Sequence, residues 1–255
     1  MSKARMISAI LFFAIIIIVP VLLFVLPKQT FSENENRVLA EFPELSWESI
    51  QSGKFMQGID AYLSDHFLLR DQWIGMKTDL ELAAGKKEVN GVYILSDRLI
   101  GKMPEYDPAE VKKNTDAIVA FSQRFGKPGS MILAPTAVEI NASMLDANAP
   151  KARQKQLIET VYAQLNNNKV ATVDLFSPFQ SASDQNIYYK SDHHWTSYGA
   201  YLAYNASAKS LGIQSVPLSS FNIEHASHDF LGTLYSKTMY DRMGKDTIDI
   251  YSYPE

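Results

Sequence analysis

Apolar residues form one long run at the N-terminus of the chain. The run extends from Met6 to Leu26 and is preceded by Lys3 and Arg5. A helix needs about 20 apolar residues to cross a bilayer, and basic residues before such a helix stay on the cytoplasmic side. The pattern predicts a membrane anchor over residues 1–27. A cleaved signal peptide is the alternative, but its apolar region is usually only about 7–15 residues long.

The remaining polar and apolar positions predict a short tether and one globular domain. Residues 28–45 are polar and contain proline, which is typical of an extended tether, and residues 46–255 form the domain. Helical spacing of apolar residues predicts helices at 46–84 (two helices), 107–125, 150–166 and 196–211. Short apolar runs predict buried strands at 130–134 and 170–176, a hairpin at 92–103 and an extended segment at 187–190. This alternation indicates an α/β fold with a mostly parallel sheet, whose ligand sites lie beyond the carboxyl ends of the strands.

The composition excludes several classes of site. The chain has 255 residues and no cysteine, so disulfide frameworks, thiolate zinc sites and cysteine nucleophiles are ruled out. Its net charge of −4 gives no sign of a nucleic-acid partner. The length suits the anchor and one domain large enough to bury its own core.

The segment Ser191–Thr196, of sequence SDHHWT, carries the clearest chemical signal. It ends an extended run and precedes a helix. In extended backbone, residues i and i+2 point to the same side, so Asp192 and His194 are expected to project together, with His193 turned away. A carboxylate beside an imidazole fixes its tautomer and stabilises the imidazolium. Trp195 could pack beneath the imidazole or form a wall of the pocket.

Three interpretations of this segment remain open on the residues alone. Asp192 and His194 could be two members of a nucleophilic triad. Both could instead bind a metal ion together with His193, since carboxylate and imidazole suit zinc or iron, although adjacent histidines rarely reach one metal. The third interpretation is a structural turn in which the Asp–His pair caps the next helix. Elsewhere, Thr136 and Glu139 follow a predicted strand and could line a pocket or simply begin a helix.

Several segments resemble one bacterial family, the DHHW proteins. The segment Ile187–Thr196, followed by Gly199–Tyr201, resembles the signature of that family. Further resemblances lie at residues 32–37 (SENENR), 65–67 (DHF) with Arg70, 135–140 (PTAVEI) and 230–237 (FLGTLYSK). Together they cover nearly the whole chain after the anchor. The family is SGNH-hydrolase-like and is similar to the proteins of alginate O-acetylation.

The resemblance implies a three-layer SGNH-hydrolase-like domain and a set of site residues. It assigns Asp192 as the residue that orients the base and His194 as the general base. The expected substrate contacts are Thr136, Glu139, His193 and Trp195. We expect neither a metal nor another cofactor. The nucleophilic serine of the family lies downstream in an Asp-Ser motif, and the chain contains no Asp-Ser pair, so we expect a C-terminally truncated and inactive fragment of an active protein.

These features predict an extracytoplasmic O-acetyltransferase or acetylesterase that acts on a cell-envelope polysaccharide. The resemblance implies a membrane-bound O-acyltransferase as partner, which passes acetyl groups across the membrane. A non-catalytic polysaccharide-binding or scaffold protein is the first alternative, and a metal-dependent hydrolase is the second. The predicted location is the cell membrane, with a single span and the domain on the extracytoplasmic side.

Overall fold

A computed structural model describes residues 3–126, 129–150 and 153–253. Three parts of the predictions lie outside these ranges: residues 1 and 2 of the anchor, residues 151 and 152 of the helix predicted at 150–166, and residues 254 and 255 of the domain. The chain divides into two compact units, residues 1–80 and 81–255. The division into anchor, tether and domain at residues 27 and 45 stays a prediction.

The first unit contains the apolar helix and a group of shorter elements. These elements are α1 (Lys3–Val25), β1 (Phe31–Ser32), β2 (Arg37–Val38), α2 (Trp47–Gln51), α3 (Lys54–Asp65) and most of α4 (Arg70–Ala83). Helix α1 is long and apolar enough to cross a membrane, a criterion that a signal sequence would also meet. The region predicted as two helices forms three, because Gly53, with a φ of 75°, ends the α2 segment that Ser46 caps.

The predicted tether is more ordered than an extended segment. Strands β1 and β2 pair antiparallel, and Arg37 donates hydrogen bonds to both carboxylate oxygens of Asp65, at 2.9 and 2.5 Å. The same carboxylate accepts a hydrogen bond from the backbone N–H of Ala40. The hydrogen bonds from Arg37 are the main cause that lowers the pKa of Asp65 to about 2. An ion pair therefore fastens the ribbon to the end of α3.

The second unit combines strands and helices in alternation. Its elements are β3 (Glu88–Val89), β4 (Val92–Ile94), β5 (Leu99–Gly101), α5 (Pro108–Phe125), β6 (Ser130–Ile132), α6 (Ala137–Ile140), α7 (Gln154–Asn167), β7 (Ala171–Val173), α8 (Phe176–Ser181), α9 (Ser197–Ser210), β8 (Asn222–Phe230), α10 (Thr233–Thr238) and β9 (Asp246–Ser252). The predicted helix after Asp107 is confirmed, with Asp107 accepting the N-terminal hydrogen bond and Gly126 in the left-handed region at the end.

The sheets of this unit are mixed. Strands β6 and β7 pair in parallel, whereas β3–β4–β5 and β8–β9 are antiparallel. The α/β class is confirmed, but among the described residues the parallel pairing expected of most strands is limited to β6 and β7. The pair β8–β9 was not predicted, because β8, of sequence NIEHASHDF, is polar and mostly exposed and lacks an alternating apolar face.

Two predicted strands are shorter and less buried than expected. Strand β6 is exposed at two of its three positions, including Ile132, because β7 is its sole partner among the described strands. The strand predicted at 170–176 stops at Val173. Asp174 then accepts hydrogen bonds from the N–H groups of Phe176 and Ser177 and starts helix α8.

A core cluster built from α6, β7, α8 and α9 supports the segment that precedes the SDHHWT motif. Phe179, Ile187 and Tyr188 are buried in it. The Tyr188 hydroxyl donates to the carbonyl of Pro135, and burial raises the pKa of Tyr188. Gly199 of α9 lies so close to the carbonyl of Ile187 that a side chain would not fit. The residues just before the motif are therefore held firmly by the core.

Candidate functional site

The SDHHWT motif forms a tight loop rather than the end of a strand. A single antiparallel bridge joins Tyr188 to Trp195. The N–H of Tyr189 donates to the carbonyl of His194 at 3.2 Å, and the N–H of Thr196 donates to the carbonyl of Ile187 at 2.8 Å. Thr196 also caps α9 by accepting from the N–H of Gly199. These bonds close the loop and join it to the start of α9.

Asp192 and His194 lie together in this loop, as predicted. The Oδ1 atom of Asp192 is 2.5 Å from Nδ1 of His194 and accepts the backbone N–H of His194 at 2.8 Å. The carboxylate side chain is only 4% exposed, whereas the imidazole is 66% exposed. Because a carboxylate only accepts, Nδ1 carries the proton. The Nε2 lone pair is then available as a base.

Helix α10 holds the other oxygen of Asp192. Oδ2 accepts hydrogen bonds from the N–H and the hydroxyl of Thr233, at 2.7 and 2.9 Å. Gly232, just before α10, lies directly against the Asp192 side chain, and a Cβ there would overlap it. Asp192 is thus clamped between its own loop and an element 41 residues away.

The buried carboxylate remains ionised. Burial raises the pKa of Asp192, but the hydrogen bonds from Thr233 and His194 outweigh it and lower the pKa to about 2. A carboxylate that accepts several hydrogen bonds is stabilised in its charged form. Asp192 therefore carries a negative charge at neutral pH.

A second buried carboxylate, that of Asp246, also holds the loop in place. Asp246, at the start of β9, accepts the N–H of Lys190 at 2.8 Å and the N–H of Ser191 at 2.9 Å. The hydroxyl of Ser191 donates to it at 2.5 Å and accepts from the N–H of Gly232 at 3.1 Å. Ser191 is fully buried. Its hydroxyl is therefore committed to holding the loop and does not face His194 as a nucleophile would.

His193 does not turn away from the pair, as extended backbone would require. Its ring centroid is 3.9 Å from that of His194, because the backbone bends in the loop. Its Nδ1 lies 2.7 Å from the hydroxyl of Thr233. Ligand atoms of Asp192, His193 and His194 lie within 4.8 Å of one another, a spacing that a metal ion could bridge. Both oxygens of Asp192 are, however, already hydrogen-bonded.

The other predicted substrate contacts lie in different surroundings. Thr136 precedes α6 and Glu139 lies within it. Both bond to Gln154: the side-chain amide of Gln154 donates to the hydroxyl of Thr136 at 2.9 Å, and its backbone N–H donates to Glu139 at 3.0 Å. Trp195 packs edge-on against Phe179, with ring centroids 6.1 Å apart. The substrate-binding role of these residues stays a prediction.

Sequence reasoning did not connect three residues with the Asp192–His194 pair. Gly232, Thr233 and Asp246 are far from the motif along the chain and have no distinctive local pattern. Only the resemblance at 230–237 drew attention to the first two. No pattern pointed to Asp246, because a lone acid at the start of a polar strand is ordinary on a protein surface.

The arrangement can supply the general base of a catalysed reaction. An ionised, immobile carboxylate orients an exposed imidazole whose second nitrogen can accept a proton. Among the described residues, no serine hydroxyl is hydrogen-bonded to His194. The site therefore presents an oriented base to whatever hydroxyl approaches from solvent.

Comparisons with known proteins place this site in a family. A family model described as "SGNH hydrolase-like domain, acetyltransferase AlgX" matches residues 103–246, which include the whole motif loop, α10 and the start of β9. No curated protein matches the chain.

Solved structures share the fold. A DHHW family protein from Eubacterium siraeum is 22% identical over 66% of this chain and 56% of its own, with a TM-score of 0.50. PatB1 of Bacillus cereus is 18% identical over 64% of this chain and 58% of its own, with a TM-score of 0.51. The chain thus spans little more than half the length of these relatives. The SGNH-like fold and the DHHW resemblance are confirmed.

Proposed function

Because the chain belongs to the family of SGNH hydrolase-like acetyltransferase domains, we propose that the whole protein transfers or removes O-acetyl groups on a cell-envelope polysaccharide. Asp192 orients the base and His194 is that base. The observation that carries the proposal is the 2.5 Å contact between Oδ1 of Asp192 and Nδ1 of His194, with a buried carboxylate and an exposed ring.

The proposed reaction uses a serine hydroxyl supplied from outside the described residues. As its oxygen attacks the acetyl carbonyl carbon, its proton passes to Nε2 of His194, and the charge of Asp192 stabilises the imidazolium. The donor oxygen leaves with that proton, which gives an acetyl-serine. A sugar hydroxyl then attacks the same carbonyl carbon, His194 takes its proton and returns it to the serine. Water in place of the sugar would give hydrolysis.

The proposed location is the outer face of the cell membrane. Helix α1 could act as a single membrane span, and Lys3 and Arg5 precede its apolar part, so the positive-inside rule favours a cytoplasmic N-terminus. The following domain then faces outward, where envelope polysaccharide lies. A membrane-bound O-acyltransferase is the proposed source of acetyl groups.

A non-catalytic polysaccharide-binding or scaffold protein is the second candidate. It is favoured by one observation: among the described residues, no serine hydroxyl is hydrogen-bonded to His194. In that case Asp192 and His194 would hold the loop but transfer no proton.

Acetyl-ester hydrolysis by the whole protein distinguishes the two candidates. His194→Ala removes the base and Asp192→Asn removes the charge that orients it, so each should lower turnover of p-nitrophenyl acetate by about 10²–10⁴-fold. The initial burst of p-nitrophenol, which reports acetyl-enzyme formation, should disappear as well.

His225→Ala is the matched control, because Nδ1 of His225 also lies 2.6 Å from a carboxylate, that of Asp249, but outside the motif loop. This variant should keep its turnover. Polysaccharide binding without turnover in the unaltered protein would support the scaffold candidate. Turnover abolished by a strong chelator would instead indicate a metal-dependent hydrolase.

A further inference from the structure

Helix α4 carries an apolar stripe on its exposed side. Leu69 immediately precedes the helix, and Trp73, Met76 and Leu80 follow it at steps of four, three and four residues, so these last three lie on one face of the helix. The exposed fractions of the four residues are 57%, 51%, 47% and 64%. Thr78, which lies on the opposite side of the helix, is buried. The stripe is therefore not the face with which α4 packs against the rest of its unit.

The start of α4 lies beside the end of the apolar helix α1. A cavity of about 380 Å³ is lined by residues 22, 23 and 26–29 at the end of α1 and by residues 65–72, which lead into α4. Both segments belong to the first compact unit. If α1 spans the bilayer, the first turn of α4 lies at the level where α1 leaves the hydrocarbon.

We propose that this stripe lies in the headgroup–acyl boundary of the bilayer that α1 crosses, so that α4 rests along the membrane surface. The inference rests on the membrane anchoring in the proposed function. Its occupant is lipid because the stripe adjoins the end of the membrane helix, and an apolar face at that level meets lipid before it meets a soluble partner. Tryptophan is enriched at membrane interfaces, and amphipathic helices there bury their apolar face by about 5–10 Å.

Two features of the stripe fit an interfacial helix. The Trp73 indole N–H already donates to the carbonyl of Leu68 at 3.1 Å, so the ring enters the acyl boundary with its polar atom satisfied. Lys77, one turn after Trp73, borders the stripe and is exposed. A lysine in this position can lay its apolar stem along the stripe while its ammonium group stays at the level of the headgroups.

The test uses the whole chain in vesicles of phosphatidylcholine and phosphatidylglycerol with brominated acyl chains. The protein has three tryptophans. Trp47→Phe with Trp195→Phe leaves Trp73 alone, and Trp47→Phe with Trp73→Phe leaves Trp195 in the motif loop. Bromine quenches at short range, so the emission of Trp73 should fall if its ring lies at interfacial depth. The emission of Trp195 gives the comparison for a ring outside the first unit.

A cysteine pair provides a second measurement that does not depend on tryptophan. The chain has no cysteine, so Leu80→Cys and Asp79→Cys each create a single labelling site. An environment-sensitive dye should shift to the blue at position 80, on the stripe, more than at position 79, which points about 100° away around the helix.

Three results are decisive. Quenching of Trp73 together with the larger shift at position 80 supports the inference. A protein that floats with the vesicles but shows unquenched Trp73 overturns it and indicates a second copy or a partner protein on the stripe. A protein that does not float refutes the membrane anchoring and this inference with it, while the acetyl-ester assay judges the proposed chemistry separately.

Discussion

At the scale of single residues, the site depends on one carboxylate that accepts four hydrogen bonds. Asp192 receives two from Thr233 and two from His194. All four donors require an acceptor, so an amide in its place would turn an N–H towards at least one of them. The charge and the shape of Asp192 are both needed, and a buried polar group left without its partner is costly.

We expect this carboxylate to make the protein sensitive to acid. Its pKa is lowered from 3.8 to about 2 in the folded chain, so the unfolded chain binds more protons between these values. The contribution of Asp192 to the free energy of unfolding should therefore be complete above pH 3.8 and should be lost as the pH is lowered towards about 2. Chemical unfolding followed from pH 5 to pH 2 measures the slope, and Asp192→Asn should make it shallower.

Asp65 must be separated from this effect. Its pKa is also lowered to about 2, chiefly by Arg37, but it lies in the first unit. Asp65→Asn should remove its own share of the acid sensitivity and leave that of Asp192. An unchanged slope in Asp192→Asn would show that Asp192 is not ionised below its ordinary range.

At the scale of elements, the motif loop is positioned by segments that come later in the chain. Helix α10 holds Asp192, and β9 holds Lys190 and Ser191 through Asp246, which is 55 residues beyond Ser191. The loop makes two further bonds to the start of α10, since the carbonyl of Ser191 accepts the N–H groups of Leu234 and Tyr235 at 3.0 and 3.1 Å. The Asp–His pair is thus a product of tertiary folding.

We predict that Gly232→Ala separates α10 from the loop. The new methyl group would overlap the Asp192 side chain, so either Asp192 or the first turn of α10 must shift. Overpacking of this kind costs about 1–3 kcal/mol, and the shift should also lower acetyl-ester turnover. Gly129→Ala is the matched control, because no atom lies near its added methyl group. Equal stability and turnover in the two variants would contradict the close packing.

We also predict that Ser191 and Asp246 are energetically coupled. Ser191→Ala and Asp246→Asn each leave a buried partner unsatisfied, at a cost of about 1–3 kcal/mol. Once one partner is removed, the loss of the other should cost less, so the double variant should be more stable than the sum of the single effects predicts, by about 0.5–3 kcal/mol. Denaturant unfolding of the four proteins measures this coupling, and additive effects would argue against it.

At the scale of the whole molecule, sequence patterns predicted the parts with local causes. Neighbouring residues alone determine the apolar run, the Asp107 cap and the end of the helix at Gly126. The helices that these features predict are present in the structure. Asp192 and His194 were predicted to lie together because extended backbone would point both to one side, but a tight loop held by later segments brings them together. Contacts made at long range, such as Thr233 with Asp192, have no local pattern and needed the fold. Strand β8 escaped prediction because its exposed face is as polar as a loop.

The last prediction concerns the side of the membrane on which the domain lies. Lys3→Cys and Glu44→Cys each give the cysteine-free chain one thiol, on opposite sides of α1 along the sequence. A membrane-impermeant maleimide applied to intact cells should label position 44, because the residues after α1 face outward when the basic flank stays inside. Position 3 should be labelled only after the membrane is permeabilised. The reverse pattern would place the Asp192–His194 pair in the cytoplasm, away from any envelope polysaccharide, and would refute the proposed substrate while leaving its acid–base chemistry intact.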